Sequence, residues 1–150
     1  MIRSNFHTHT TYCDGKNSAE EMVLAAIENG MHALGFSTHS YTSRDLTYCI
    51  RKEKIEAYKK EINALKEKYK DKINIYCGSE LDVISDMDRE GFEYFLGAVH
   101  YIDVDGTLLT VGYATTANYM INYVRQTIYP EGGDNTASFT MMDGFDVFCV

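Results

Sequence analysis

Nowhere in its 150 residues does the chain carry an apolar run of about 18, the length a membrane-spanning helix needs. Its opening, Met1-Ile2-Arg3-Ser4-Asn5, lacks the apolar core of a secretory signal. Cysteine is sparse. Cys13, Cys49, Cys77 and Cys149 form no C-x-x-C pair and match neither a zinc ribbon nor a disulfide framework, so reduced thiols in a cytoplasmic protein are expected. Positive charge is short as well: the formal net charge is −8, and no lysine follows Lys72. That argues against broad electrostatic contact with nucleic acid or an anionic membrane. An anionic substrate stays open, because bound cations can reverse the local field. What remains is a globular composition, 45% hydrophobic and 13% aromatic, in a chain long enough for one domain with a core.

The pattern of elements is α/β. Phe6 to Thr10 alternates apolar and polar residues and predicts a first strand, ended by a turn at Asp14-Gly15. Ser18-Ala19-Glu20-Glu21 predicts a capping box, with a helix running to about Glu28 and stopping at Asn29-Gly30. Ala33 to Ser37 reads as a strand buried on both faces. A polar loop leads to a helix over about 51–69, whose Ile55, Tyr58, Ile62, Leu65 and Tyr69 share one face. Its intervening Lys and Glu residues form a solvated face. Ile73 to Cys77 predicts a third strand, Arg89 to Tyr94 a short third helix, and Leu96 to His100 a fourth strand. Strands alternating with helices argue for a parallel sheet with right-handed crossovers.

Five histidines are present, and four fall on one edge of that sheet. On a strand, residues i and i+2 share a side, so His7 and His9 can present two imidazoles to one point, as a metal ion requires. His39, Glu80 and His100 each lie at the C-terminal end of a predicted strand, the edge where parallel α/β folds build sites, and Asp14 lies just beyond the first strand. Mixed imidazole and carboxylate donors suit zinc, manganese or iron and fit calcium poorly. Six such residues exceed one tetrahedral zinc and imply at least two ions, with a carboxylate such as Glu80 bridging. Paired ions of this kind hydrolyse phosphate esters. Cys13 reads as a small apolar filler, and His32, on the opposite edge, as a loop residue.

These residues, His7-Thr8-His9, Asp14, Ser37-Thr38-His39-Ser40, Gly78-Ser79-Glu80-Leu81-Asp82 and Gly97-Ala98-Val99-His100-Tyr101-Ile102, resemble the first four motifs of the PHP superfamily of metal-dependent phosphoesterases. Within it the likeness is to the histidinol-phosphatase branch, on Asp14 and on the segment from Phe92 to His100. The resemblance implies the N-terminal part of a distorted (β/α)7 barrel over residues 1–107. It implies two or three divalent ions and L-histidinol phosphate as a small phosphorylated substrate. By resemblance, His7 and His9 hold one metal, Glu80 bridges it to a second, His100 holds the second, and Asp14 and His39 hold a third. No residue acts as a covalent nucleophile; water activated by the ions attacks phosphorus.

The family pattern then breaks. No histidine follows His100 and no Asp-x-His occurs, whereas the family continues for roughly another 150 residues; a closed barrel needs on the order of 250. Residues 108–150, poor in charge and without a persistent period, read as an atypical tail, the product of a frameshift or truncation or else a divergent closure of the fold. Two alternatives accompany the phosphatase reading. One is a PHP phosphoesterase acting on nucleotides or oligonucleotides. The other is a truncated, non-catalytic metal-binding module. The sequence leaves the oligomeric state open; an incomplete barrel, with open strand edges, predicts self-association.

Overall fold

A computed structural model describes residues 4–110. Expectations for residues 111–150, and so for most of the tail, lie outside the described residues. Within them the strands and helices are β1 (Ser4–Asn5), α1 (Ala19–Glu28), β2 (Ala33–His39), α2 (Ile55–Tyr69, preceded by a 3-10 turn at Lys52–Lys54), β3 (Asn74–Asp82), β4 (Tyr94–Ala98), β5 (Tyr101–Val104) and β6 (Thr107–Thr110). The chain divides into two compact units. The first is Met1–Leu81 with Ser85–Leu96; the described part of the second is 82–84 with 97–110.

The main sheet has the order β1-β2-β3-β4, and both β1·β2 and β2·β3 are parallel. Its register separates two chemistries. The β2·β3 partners Leu34↔Ile75 and Phe36↔Cys77 turn apolar side chains to one face, where they join Val23 and Ala26 of α1 and Tyr58, Ile62, Leu65 and Tyr69 of α2 in the core. The partners Gly35↔Tyr76, Ser37↔Gly78 and His39↔Glu80 occupy the other face. Toward its C-terminal edge that face turns from glycine and serine to titratable side chains.

The helices form as their sequence dictates. Ser18 caps α1 with its hydroxyl on the Glu21 amide, and the Glu21 carboxylate returns to the Ser18 amide at 2.8 Å, a complete capping box. Asn29 ends the helix, and Gly30 follows at φ +68°. In α2 the predicted stripe is the buried one, with Ile55 only partly covered. Glu20 fastens the two helices together, accepting from Lys68 and from the Tyr69 hydroxyl, each at 2.6 Å.

Two expectations about elements need correction. The first strand stops at Asn5, and residues 6–10 are irregular. They still run beside β2 in register, because hydroxyls replace part of the ladder. The Thr8 amide donates to Ser37 Oγ at 3.0 Å, Thr8 Oγ1 donates to the Gly35 carbonyl at 2.6 Å, and the Ser37 amide donates to the Thr8 carbonyl at 2.9 Å. The short helix expected at Arg89–Tyr94 is also absent, and β4 begins at Tyr94 instead of Leu96. The Glu93 amide, which a helix would direct at the Arg89 carbonyl, donates instead to the Cys77 carbonyl of β3 at 2.7 Å. Gly91, at φ +79°, then turns the chain into β4.

The second unit holds an antiparallel hairpin, β5–β6, with Val104 opposite Thr107. Its two-residue turn is Asp105 (φ 51°) and Gly106 (φ 84°), the Asp-Gly pair that a primed hairpin turn prefers.

Candidate metal centre

Glu80 is the hub. It sits directly beside His39 in the β2·β3 register, and it is 2% exposed. A carboxylate this deep needs cationic partners or donors, since its charge is lost to water. Three imidazoles supply them. His7 Nε2 lies 3.0 Å, His9 Nε2 3.3 Å and His39 Nδ1 3.3 Å from the same oxygen, Oε2. Their rings pack on one another, His7 to His9 at 5.0 Å between centroids and His9 to His39 stacked at 4.2 Å.

The break in β1 makes this convergence possible. Carried on as a strand in the register of Ser4↔Ala33, the chain would set Phe6 and Thr8 on the face of Glu80, and His7 and His9 on the other. Phe6 does lie on that face, tilted against Tyr76 and edge-on to Tyr94. Beyond it the backbone leaves strand geometry, and both imidazoles swing to Oε2. His7 and His9 therefore do converge, though not through the strand alternation that the sequence suggests.

Asp14 enters from the turn over residues 11–14. The Cys13 amide closes on the Thr10 carbonyl at 3.0 Å, and the Thr11 amide on the Asn17 carbonyl at 3.0 Å. Half exposed, Asp14 brings Oδ1 to 3.5 Å from His39 Nε2 and 3.9 Å from His9 Nδ1. Two sets of donors thus gather within the first unit, His7 with His9 and Glu80, and His9 with Asp14 and His39, each close enough to hold one cation. Anionic oxygen and imidazole nitrogen in such numbers fit a borderline divalent ion such as zinc.

Electrostatics in the metal-free chain follow from the same contacts. Burial works against a proton on His9, yet its bonds to Cys13 and Glu80 outweigh this and raise its pKa to about 10. Burial pushes the Cys13 thiol up, while the neighbouring His9, Thr38 and His39 more than offset it, so the thiol titrates below its ordinary value. A proton here stands where a cation would.

His100 belongs to the second unit. There its Nδ1 lies 2.7 Å from Asp82 Oδ2, and the same carboxylate oxygen accepts the His100 amide at 2.9 Å. Asp82 was quoted in the sequence motif without a role; a carboxylate that fixes the ring of a candidate ligand is the kind of support such histidines use. Cys13, read from sequence as a filler, instead has its sulfur 3.5 Å from His9 Nδ1. His32 lies outside the cluster, its carbonyl accepting the Asn74 amide. Cys13, Cys49 and Cys77 are free thiols, as expected for the described ones. Among the described residues no helix is long and apolar enough to cross a membrane.

Comparison with known proteins follows this geometry. A profile of the PHP domain matches residues 5–136. Among curated relatives, the Bacillus subtilis DNA polymerase/3'-5' exonuclease PolX is 29% identical, over 57% of this chain and 15% of its own length. A Schizosaccharomyces pombe protein described as a histidinol-phosphatase is 25% identical, over 68% of this chain and 39% of its own. Two solved structures share the fold. A candidate histidinol phosphatase, HisK, from Listeria monocytogenes superposes with a TM-score of 0.63 at 21% identity, over 75% of this chain and 50% of its own. Histidinol phosphate phosphatase from Lactococcus lactis, solved with zinc, L-histidinol and phosphate, gives 0.60 at 20%, over 83% and 54%. The expected α/β architecture, the first part of a PHP-type barrel, is borne out, and this chain spans about half the length of those two proteins.

Proposed function

Because the chain belongs to the PHP domain family, we propose that it serves metal-dependent phosphate monoester hydrolysis, with L-histidinol phosphate as the substrate and His7, His9, Asp14, His39, Glu80 and His100 as ligands. One observation carries the reading: three imidazole nitrogens converge within 3.3 Å of one oxygen of a buried glutamate. Neutral packing does not ask for such an arrangement, and a shared cation does. Zinc in the Lactococcus relative, beside L-histidinol and phosphate, supports both the ion class and the substrate.

Divalent ions bound there would polarise phosphate oxygens and acidify a water molecule. The chain's own residues supply the rest. Glu80, shielded from solvent, keeps its acceptor oxygens for cations and lies where it can serve both donor sets. His9 and His39, stacked, are held to one orientation. Asp14, half exposed, offers a carboxylate on the solvent side. The resemblance assigns His100 to a second ion, with Asp82 setting its ring.

The PolX likeness favours a second reading, turnover of oligonucleotides; the net charge of −8 opposes it. The test is elemental analysis joined to an assay of L-histidinol phosphate beside short DNA. The proposal expects bound zinc, manganese or iron, phosphate released from histidinol phosphate, and His9→Ala that still folds but holds sharply less metal. Release from DNA alone would select the second reading. Metal without any turnover would select a metal-binding module, and equal metal in His9→Ala and parent would remove His9 from the ligands.

A further inference from the structure

His9 faces a choice that the two donor sets impose. Its Nε2 lies 3.3 Å from Glu80 Oε2, while its Nδ1 points toward Asp14 at 3.9 Å. A neutral imidazole has one lone pair and one N–H, so it ligates through one nitrogen and donates through the other. The Cys13 sulfur stands closer to Nδ1 than Asp14 does, at 3.5 Å. With Nε2 turned to Glu80, the ring's N–H falls on Nδ1, and the Cys13 sulfur is the group placed to accept it.

Resting on the metal-centre reading above, we propose that Cys13 is a positioning residue that fixes the tautomer of His9. It accepts Nδ1–H and so directs the Nε2 lone pair into the His7–Glu80 set instead of the Asp14–His39 set. Ligand histidines commonly donate their second nitrogen to a carboxylate or a carbonyl; a thiol takes that place here. The assignment leaves Asp14 and His39 to hold their ion without His9. It also makes the site sensitive to thiol-blocking reagents, because a modified sulfur loses its grip on the ring.

The experiment uses the full chain loaded with Zn²⁺ alone. Three forms are compared, parent, Cys13→Ala and Cys13→Ser, by zinc affinity, by ¹⁵N spectra of the histidine rings and by zinc X-ray absorption. The parent should show His9 bound through Nε2 with a proton on Nδ1, and no Zn–S distance. Cys13→Ala should lose about 10- to 100-fold in zinc affinity and the single His9 signature, as removal of such an outer partner does. Cys13→Ser, whose hydroxyl can still accept, should recover most of both, which a merely structural loss would not. A His9 bound through Nδ1, a Zn–S bond, or an unchanged Cys13→Ala protein would overturn the role of Cys13 while the metal centre stands. A parent chain that binds no zinc would overturn the metal-centre reading and this inference with it.

Discussion

Gly15→Ala should damage the candidate site more than its core-free position suggests. Gly15 does not adopt a positive φ, so the demand for glycine is steric. A Cβ there would stand 2.5 Å from the His9 carbonyl carbon and 2.7 Å from its oxygen, and nearer still to the Thr10 amide nitrogen. All three are backbone atoms with no rotamer to yield. Restoring ordinary contact requires the turn to retreat by about 1 Å, and overpacking of this kind costs about 1–3 kcal/mol, here at the upper end. For a chain of this size about 3 kcal/mol lowers Tm by roughly 6–12 °C. The same retreat carries Asp14 off its 3.5 Å approach to His39. Metal affinity of the Asp14 set should fall on the order of 10-fold or more, with the Glu80 set less affected. Calorimetry of Zn²⁺ binding gives the stoichiometry and both affinities, and thermal melting gives the stability. Gly97→Ala is the control, because a Cβ there meets nothing within 4 Å. A Gly15→Ala chain with parental Tm and parental affinities would refute the close packing of this turn on His9.

Other expectations follow from single contacts. A Cβ at Gly78 would stand 2.6 Å from Cδ1 of Tyr94 and closer to the ring's Cε1 and Cζ; Gly78→Ala should cost about 1–3 kcal/mol, and denaturant melts should show that penalty shrinking in a Tyr94→Ala background. The Tyr58 hydroxyl, fully buried, donates to the Gly78 carbonyl at 2.9 Å, so Tyr58→Phe should lose about 1–2 kcal/mol by urea denaturation. Burial raises the Glu93 pKa, but the Cys77 amide at 2.8 Å and the Lys66 ammonium outweigh it and hold the carboxyl low. A depressed folded pKa gives stability that is present above the unfolded value, near 4.5, and lost as pH falls through the folded one; Glu93→Gln should therefore show a flatter acid limb in melts below about pH 4.5. His9 is the opposite case. Its folded pKa near 10 makes the metal-free contact fully effective below about 6.5 and lost as pH rises through about 10. Zinc must displace that proton, so calorimetry in buffers of different ionisation enthalpy should detect proton release at pH 7, and binding without it would contradict the raised pKa.

The candidate site was legible in the sequence because titratable residues such as His39 and Glu80 close buried strands, and burial leaves such residues few reasons to be there. His39 and Glu80 were placed at one edge, and the register sets them side by side. The helices were legible for a related reason: Ser18 with Glu21 and the stripe from Tyr58 to Tyr69 are local patterns that tertiary contacts reinforce. The irregular run over residues 6–10 was not legible. Its alternation is that of a strand, and only the Thr8 and Ser37 hydroxyls, 29 residues apart, let the chain leave the ladder without stranding backbone groups. The missing helix at 89–94 failed for the same kind of reason, since the Glu93 amide goes to the Cys77 carbonyl, 16 residues away, and not to the preceding turn.

What neither periodicity nor spacing can reveal is why the rim is lined with small residues. Gly35 and Gly78 lie on the same sheet face as His39 and Glu80, and the ring of Tyr94 lies across both glycines. Its hydroxyl donates to the Phe6 carbonyl at 2.8 Å. Phe6 precedes His7, so β4 reaches over two strands to hold the backbone that delivers the first imidazole. Side chains at 35 and 78 would lift that ring and loosen His7 without touching any candidate ligand. Gly78 and Gly35 are therefore part of the site's construction, two and four positions from candidate ligands they never contact. A ligand set assembled from distant segments needs such braces, because each imidazole is only as well placed as the backbone it hangs from.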